Sequence, residues 1–128
     1  MATKNFAYDH PAYQVPYVFS GSTTVGANGV STKFAAFTTM KIKGTVMAPN
    51  IASTSASQPL LYTKSGTTTA TTTLTALTSA ATAAIVNDVT DVSLAQGDQF
   101  WITHGTDATV SLSVAVQAEV VPGSSISD

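Results

Sequence analysis

The fold is decided by the stretch GDQFWITHGTDATVSLSVAVQAEVVPG, which runs from Gly97 to Gly123. From Val110 to Val120 every second residue is apolar, and most of the residues between them are polar. Successive side chains of a strand point to opposite faces of its sheet, so this pattern predicts a long strand with one buried face. Pro122 and Gly123 end the strand.

The same stretch contains the residue types of a hydrolase triad, in His104, Asp107 and Ser111. A triad requires the histidine to bond both partners within about 3 Å, beside donors for an oxyanion. Neither a Gly-x-Ser-x-Gly elbow nor a glycine-rich oxyanion loop accompanies these residues. We therefore expect residues 99–104 and 109–121 to form a hairpin, with Asp107 as a turn residue, and we expect no enzyme activity.

The rest of the chain also predicts strands. Residues 40–49 predict a strand that Pro49 ends, and residues 60–65 predict a short strand that Gly66 closes. In the first of these, one face is predicted to carry Met40, Ile42 and Val46, and the other Lys41, Lys43 and Thr45. Asn28-Gly29 is the strongest hairpin signal in the chain.

The threonine-rich segment that follows Gly66 is ambiguous. Leu74, Leu77, Ala81 and Ile85 have near-helical spacing, whereas threonine favours strands. We predict a strand through about Leu77, a turn near Ser79 and a short strand from Ala84 to Asn87. A strand, a Gly97-Asp98 turn and a further strand come next.

Seven or eight short strands with turns at intervals of about 8–12 residues predict an all-β, antiparallel β-sandwich or jelly roll. We assign residues 21–123 to the sandwich, residues 1–20 to an extended N-terminal arm or edge strand, and residues 124–128 to a tail.

The N-terminal segment is rich in aromatic residues and contains Pro11 and Pro16, which exclude a helix. Its aromatic residues are Phe6, Tyr8, Tyr13, Tyr17 and Phe19. Two interpretations stand: an edge strand that seals its own core, or an arm whose rings dock on a neighbouring subunit.

Charged residues make up 9% of the chain, against about 25% in ordinary soluble proteins, and this low charge favours association. The chain has no arginine, so we expect no nucleic-acid partner, and the segment Ser65 to Asn87 is too rich in threonine to enter a membrane. With no cysteine, scattered aspartates and isolated His10 and His104, we expect neither a metal site nor a cofactor.

Trp101 alternates with Phe100 and Ile102. If those two side chains face the core, Trp101 faces outward or into a second layer. It is then a subunit contact or a platform for stacking on a sugar; the alternative is a residue of the sandwich core.

Three segments together resemble the jelly-roll decoration (cement) proteins of tailed bacteriophages. They are HPAYQVPYVFSG (10–21), LLYTKSGTTTATTTLTALTSAA (60–81) and LAQGDQFWITHGTDATVSLSVAVQAEVVPGS (94–124). The resemblance implies a homotrimer on the capsid exterior that is assembled in the bacterial cytoplasm and bridges neighbouring major capsid proteins.

The contact residues that we expect for this function are Phe6, Tyr8, Tyr13, Tyr17, Phe19 and Trp101. The alternative function is a carbohydrate-binding or host-adhesion module of a virion head or tail fibre, in which Trp101 and tyrosines stack on sugar rings.

Overall fold

The computed structural model describes residues 17–50, 56–78, 83–107 and 109–121, with Thr90 and Asp91 described by backbone alone. Within these ranges the chain forms eight strands and no helix, as the sequence predicts. The strands are β1 (Tyr17–Ser22), β2 (Phe34–Ala35), β3 (Met40–Pro49), β4 (Leu60–Ser65), β5 (Thr68–Thr73), β6 (Ile85–Leu94), β7 (Gln99–Thr103) and β8 (Leu112–Val120).

The strands form two antiparallel sheets of four that pack together as a sandwich. The first sheet has the order β1-β8-β3-β6, and the second has the order β2-β7-β4-β5. β1 pairs with β8, β2 with β7, β3 with β6, and β4 with β5. This is the pattern of one long hairpin rolled into two sheets, so the predicted jelly roll is confirmed.

β8 lies inside the first sheet and supplies the alternating face that the sequence predicts. Its buried side chains are Leu112, Val114, Val116, Ala118 and Val120, with Val110 just before the strand. They belong to the same core cluster as Leu61, Phe100 and Ile102 of the second sheet. Ser113 and Gln117 are exposed on the opposite face.

The predicted faces of β3 are right in its first half and wrong in its second. Met40 and Ile42 are buried, but the register with both neighbouring strands shifts between Ile42 and Gly44. An irregularity of this kind reverses the alternation, so Thr45 and Met47 face the core and Val46 faces outward.

The threonine-rich segment leaves the sheet earlier than predicted. β5 ends at Thr73, and Leu77 makes only an isolated bridge to Ser57. Leu74 and Leu77 are both buried, and a strand cannot turn two residues three apart to the same face. The predicted turn at Ser79 lies outside the described residues. β6 is one ten-residue strand, so the separate short strand ending at Asn87 was wrong.

The predicted hairpin between β7 and β8 is also wrong, because the two strands lie in different sheets. The segment from His104 to Asp107 therefore begins a crossing from one sheet to the other. Asn28-Gly29 does form a local turn, with the Gly29 amide donating to the Gly26 carbonyl at 3.1 Å, but it too connects strands of different sheets.

Candidate functional site

His104 is fully buried where the chain leaves the second sheet. Its Nε2 atom lies 3.2 Å from the Thr24 carbonyl oxygen, which can only accept, so Nε2 carries the proton. Its Nδ1 atom has no hydrogen-bond partner in the described part of the chain. The His104 amide donates to the Gly29 carbonyl at 3.2 Å, and its own carbonyl accepts from the Ser57 hydroxyl at 2.9 Å. His104 therefore holds two loops against the crossing.

The other two triad candidates have separate structural partners. Asp107 is buried, and its Oδ1 atom accepts from the Thr109 amide at 2.9 Å and the Thr109 hydroxyl at 2.8 Å. Its predicted role as a turn residue is confirmed. The Ser111 hydroxyl accepts from the Asn50 side-chain amide at 2.9 Å. Among the described residues, no hydrogen bond links His104 to Asp107 or Ser111.

Within residues 17–50, 56–78, 83–107 and 109–121, no three histidine or acidic side chains form a group that could hold a metal ion. His10 lies outside these ranges. None of the described residues forms a helix of the length and hydropathy needed to span a membrane.

A shallow pocket of about 530 Å³ lies beside the crossing. Its lining includes Ser57, Gln58, Leu60 and Gly105, and no described lining residue is titratable. The Gln58 side-chain amide already donates to the carbonyls of Pro59 and Leu74. A neutral lining suits the burial of a neighbouring side chain better than acid–base chemistry.

Two of the five N-terminal aromatic candidates, Tyr17 and Phe19, lie among the described residues, and both are half-buried against the core of the sandwich. The Tyr17 ring contacts Phe37 at 5.0 Å between centroids. The Phe19 ring contacts Phe100 edge-on at 5.0 Å and Phe34 at 5.8 Å. Residues 17–22 therefore form an edge strand whose aromatic rings pack against the core of the same chain.

The remaining three candidates, Phe6, Tyr8 and Tyr13, lie outside the described residues. Contacts of any of the five with a neighbouring subunit stay a prediction.

Trp101 lies on the outer face of the second sheet, as its alternation with two core residues predicts. Its ring stacks on Tyr62 with 5.4 Å between centroids and 4° between planes. Lys33 Nζ lies 4.6 Å from the indole centroid. Tyr62 lies in β4 and Lys33 directly precedes β2, the two strands that flank β7, and Trp101 is only 8% exposed. A sugar ring finds no open tryptophan face here.

Trp101 is part of a larger surface that we call the threonine-aromatic face, the outer side of the second sheet. It comprises Lys33, Leu60, Tyr62, Lys64, Thr69, Thr71, Thr73, Gln99, Trp101 and Thr103. Tyr62 is paired with Trp101 on one side and with Thr71 on the other. β2, β4, β5 and β7 contain no acidic residue, so the charges of this face are two lysines.

Tyr62 and Lys33 were not among the residues singled out from the sequence. The alternation of Leu61 with Tyr62 and Lys64 is visible in LLYTK and indicates which side chains share a face. The pairing of β4 with β7, which brings Tyr62 to Trp101, has no local signal.

Comparisons of the chain with protein-family models, with curated proteins and with solved structures find no match.

Proposed function

We propose that this protein is a non-enzymatic structural protein of a virion. In this proposal it binds the outside of a bacteriophage capsid and stabilises the shell by bridging neighbouring major capsid proteins. The observation that carries the proposal is the threonine-aromatic face. It is a sheet surface with stacked rings, hydroxyl groups and two lysines, and it is suited to contact with another protein.

The geometry of this face favours a protein partner over a small ligand. The Lys33–Trp101–Tyr62 stack fixes its side chains before binding, so little conformational entropy is lost when a partner docks. A sheet surface offers a broad contact area, and threonine hydroxyls can donate or accept along it. The two lysines favour a partner surface that carries carboxylates.

The buried polar residues support the non-enzymatic part of the proposal. The side chains of His104, Asp107 and Ser111 each bond a different partner, Thr24, Thr109 and Asn50 respectively. Their residue types are thus accounted for by structure alone.

The jelly roll fits the proposal by analogy, since viral capsid domains use it, but lectin domains use it too and a fold does not decide function. Because the indole is covered, stacking of a sugar ring on Trp101 is disfavoured. We propose a homotrimer with Phe6, Tyr8 and Tyr13 as further anchors, because several weak contacts made together resist detachment.

Charge reversal on the proposed docking face tests the function. Lys64→Glu replaces a half-buried cation on the threonine-aromatic face with an anion, and we expect affinity for heads of the encoding phage to fall several-fold. The loss should be largest at low ionic strength, where charges are least screened. Co-sedimentation of purified protein with heads that lack it measures the affinity.

Lys43→Glu is the matched control, because it makes the same charge change on the outer face of the first sheet, where Lys43 is exposed. Head binding by this variant should equal that of the unchanged protein. If the unchanged protein does not bind heads, the proposed function is wrong. If both variants bind equally well, the docking face is wrong.

A further inference from the structure

β5 is an edge strand that the sandwich leaves uncovered. Among the strands that the structure describes, it pairs only with β4, and five of its six residues are exposed, with Thr72 half-buried. Residues on both faces are exposed, so this part of the second sheet extends beyond the cover of the first sheet. A full set of backbone groups therefore lies along an open edge.

The β4–β5 turn determines which backbone groups face that edge. Gly66 has φ +61° and begins a two-residue turn, which Ser65 and Thr68 close as a pair. In a two-residue hairpin the closing pair is hydrogen-bonded, and hydrogen-bonded and non-hydrogen-bonded pairs then alternate. The amides and carbonyls of Thr69, Thr71 and Thr73 therefore point away from β4.

Proteins commonly protect edge strands by making them short or charged. Of the other three edge strands, β2 has two residues and β6 carries Asp88 and Asp91, whereas β1 has six residues and no charge. β5 has six residues, regular pairing with β4, and neither charge nor proline. An open edge of this kind is a template for another strand.

We infer that β5 pairs antiparallel with β5 of a second copy of the chain, across a two-fold axis at Thr71. In this register Thr71 opposes Thr71 of the second copy, and Thr69 opposes Thr73. All of these residues direct their backbone groups to the open edge, so about six backbone hydrogen bonds form. The strand is self-complementary, as a two-fold contact requires.

The side chains also fit this contact. Directly opposed threonines are a favourable cross-strand pair, and no like charges meet along β5. A two-fold axis perpendicular to the sheet keeps both threonine-aromatic faces on the same side. The contact therefore joins them into one surface on an eight-stranded sheet. The inference goes beyond the proposed function and does not depend on capsid binding.

The particle mass in solution tests the inference. Thr71→Lys places two lysines opposite each other at the axis, whereas in a single copy the side chain is exposed. Light scattering coupled to size exclusion should give the unchanged protein an even multiple of the 13.1 kDa chain mass and the variant half of that value. A dimer becomes a monomer, and a hexamer becomes a trimer.

Gln117→Lys is the control, since it makes the same charge change at an exposed position of β8 and should keep the full mass. An unchanged mass for Thr71→Lys, or a monomeric unchanged protein at the highest concentration tested, overturns the inference. Head binding by the halved Thr71→Lys particle is a separate readout, so a failure of capsid binding remains distinguishable from a failure of strand pairing.

A cross-link provides a second test that does not require a charge at the axis. The chain has no cysteine, and directly opposed residues of a hydrogen-bonded pair have Cα atoms about 5.5 Å apart, within disulfide range. Mild oxidation of Thr71→Cys should give a disulfide-linked dimer, and Gln117→Cys should give none. Equal cross-linking of the two variants, or none for Thr71→Cys, overturns the inference.

Discussion

At the scale of single residues, two buried threonines differ in what their hydroxyl groups do for stability. Thr45 is 1% exposed, and its Oγ1 atom has no hydrogen-bond partner within the described ranges. Thr23 is 4% exposed, and its Oγ1 atom accepts from the Leu112 amide at 2.8 Å. A buried polar group without a partner costs stability, whereas a paired one leaves a second group unsatisfied when it is removed.

Thr45→Val should therefore raise the free energy of unfolding by about 1 kcal/mol, because valine has nearly the same shape and no hydroxyl to desolvate. Thr23→Val should lower it by about 1–3 kcal/mol, because the buried Leu112 amide loses its acceptor. Urea denaturation followed by tryptophan fluorescence measures both changes. A loss of stability in Thr45→Val would contradict the assignment of its hydroxyl as unpaired.

Prediction from sequence succeeds at this scale where a residue's role is local. Asp107 was predicted as a turn residue because a short acidic side chain bonds nearby amides, and it bonds Thr109 two residues on. The burial of His104 was not predictable, because its partners are Thr24, Gly29 and Ser57, all distant in sequence.

At the scale of elements, the loop that follows β1 fits closely against the crossing that follows β7. A Cβ atom on Gly29 would lie 1.9 Å from the Thr24 carbonyl oxygen and 2.6 Å from His104 Nε2. Both atoms belong to the hydrogen bond that fixes the imidazole. Position 29 therefore requires glycine, because any side chain there would clash with the Thr24 carbonyl and the His104 imidazole.

Gly29→Ala should lower the free energy of unfolding by about 3 kcal/mol, because a backbone carbonyl has to shift and the His104 bond is lost. Gly97→Ala is the comparison. Gly97 has φ +89° and no described atom within 4 Å of an added Cβ, so only backbone strain of about 1–2 kcal/mol applies. Thermal unfolding of the two variants measures the difference, and an equal loss would show that the close approach at Gly29 carries no cost.

The faces of a strand are also predictable from the sequence only where neighbouring strands do not alter its alternation. The period of two in β8 was right over its whole length, because one face of that strand meets the core throughout. β3 was right only up to Gly44, where an added Cβ would lie 2.9 Å from the Asn87 carbonyl oxygen of β6 and where the register shifts. Nothing in the β3 sequence reveals that neighbour.

At the scale of the whole molecule, turn spacing predicted the jelly roll but could not predict which strands become neighbours. The turns after Ser22, Leu94 and Thr103 all cross between sheets, and of the eight described strands only β4 and β5 are both consecutive and paired. The threonine-aromatic face and the open β5 edge both arise from these distant pairings. For this reason the candidate site was foreseen only at Trp101.

The aromatic residues of β1 pack against the core of the sandwich. Phe19 packs edge-on against Phe100 of the opposite sheet, and Tyr17 packs against Phe37. Both contacts lie at one side of the sandwich, where β1 is the edge strand of the first sheet. The core described by the structure therefore requires the chain from Tyr17 onward.

Removal of residues 1–12 should leave a folded β protein whose free energy of unfolding changes by no more than about 0.5 kcal/mol. Because this truncation removes Phe6 and Tyr8, two of the proposed capsid anchors, it should also abolish binding to phage heads. Circular dichroism measures the β fold, urea denaturation measures the free energy of unfolding, and co-sedimentation measures head binding.

Removal of residues 1–20 is the matched comparison. It should prevent cooperative unfolding, because Phe19 no longer packs against the core and β8 loses its neighbour β1. Full head binding by the shorter truncation would exclude the N-terminal aromatic residues as anchors and leave the threonine-aromatic face as the docking surface.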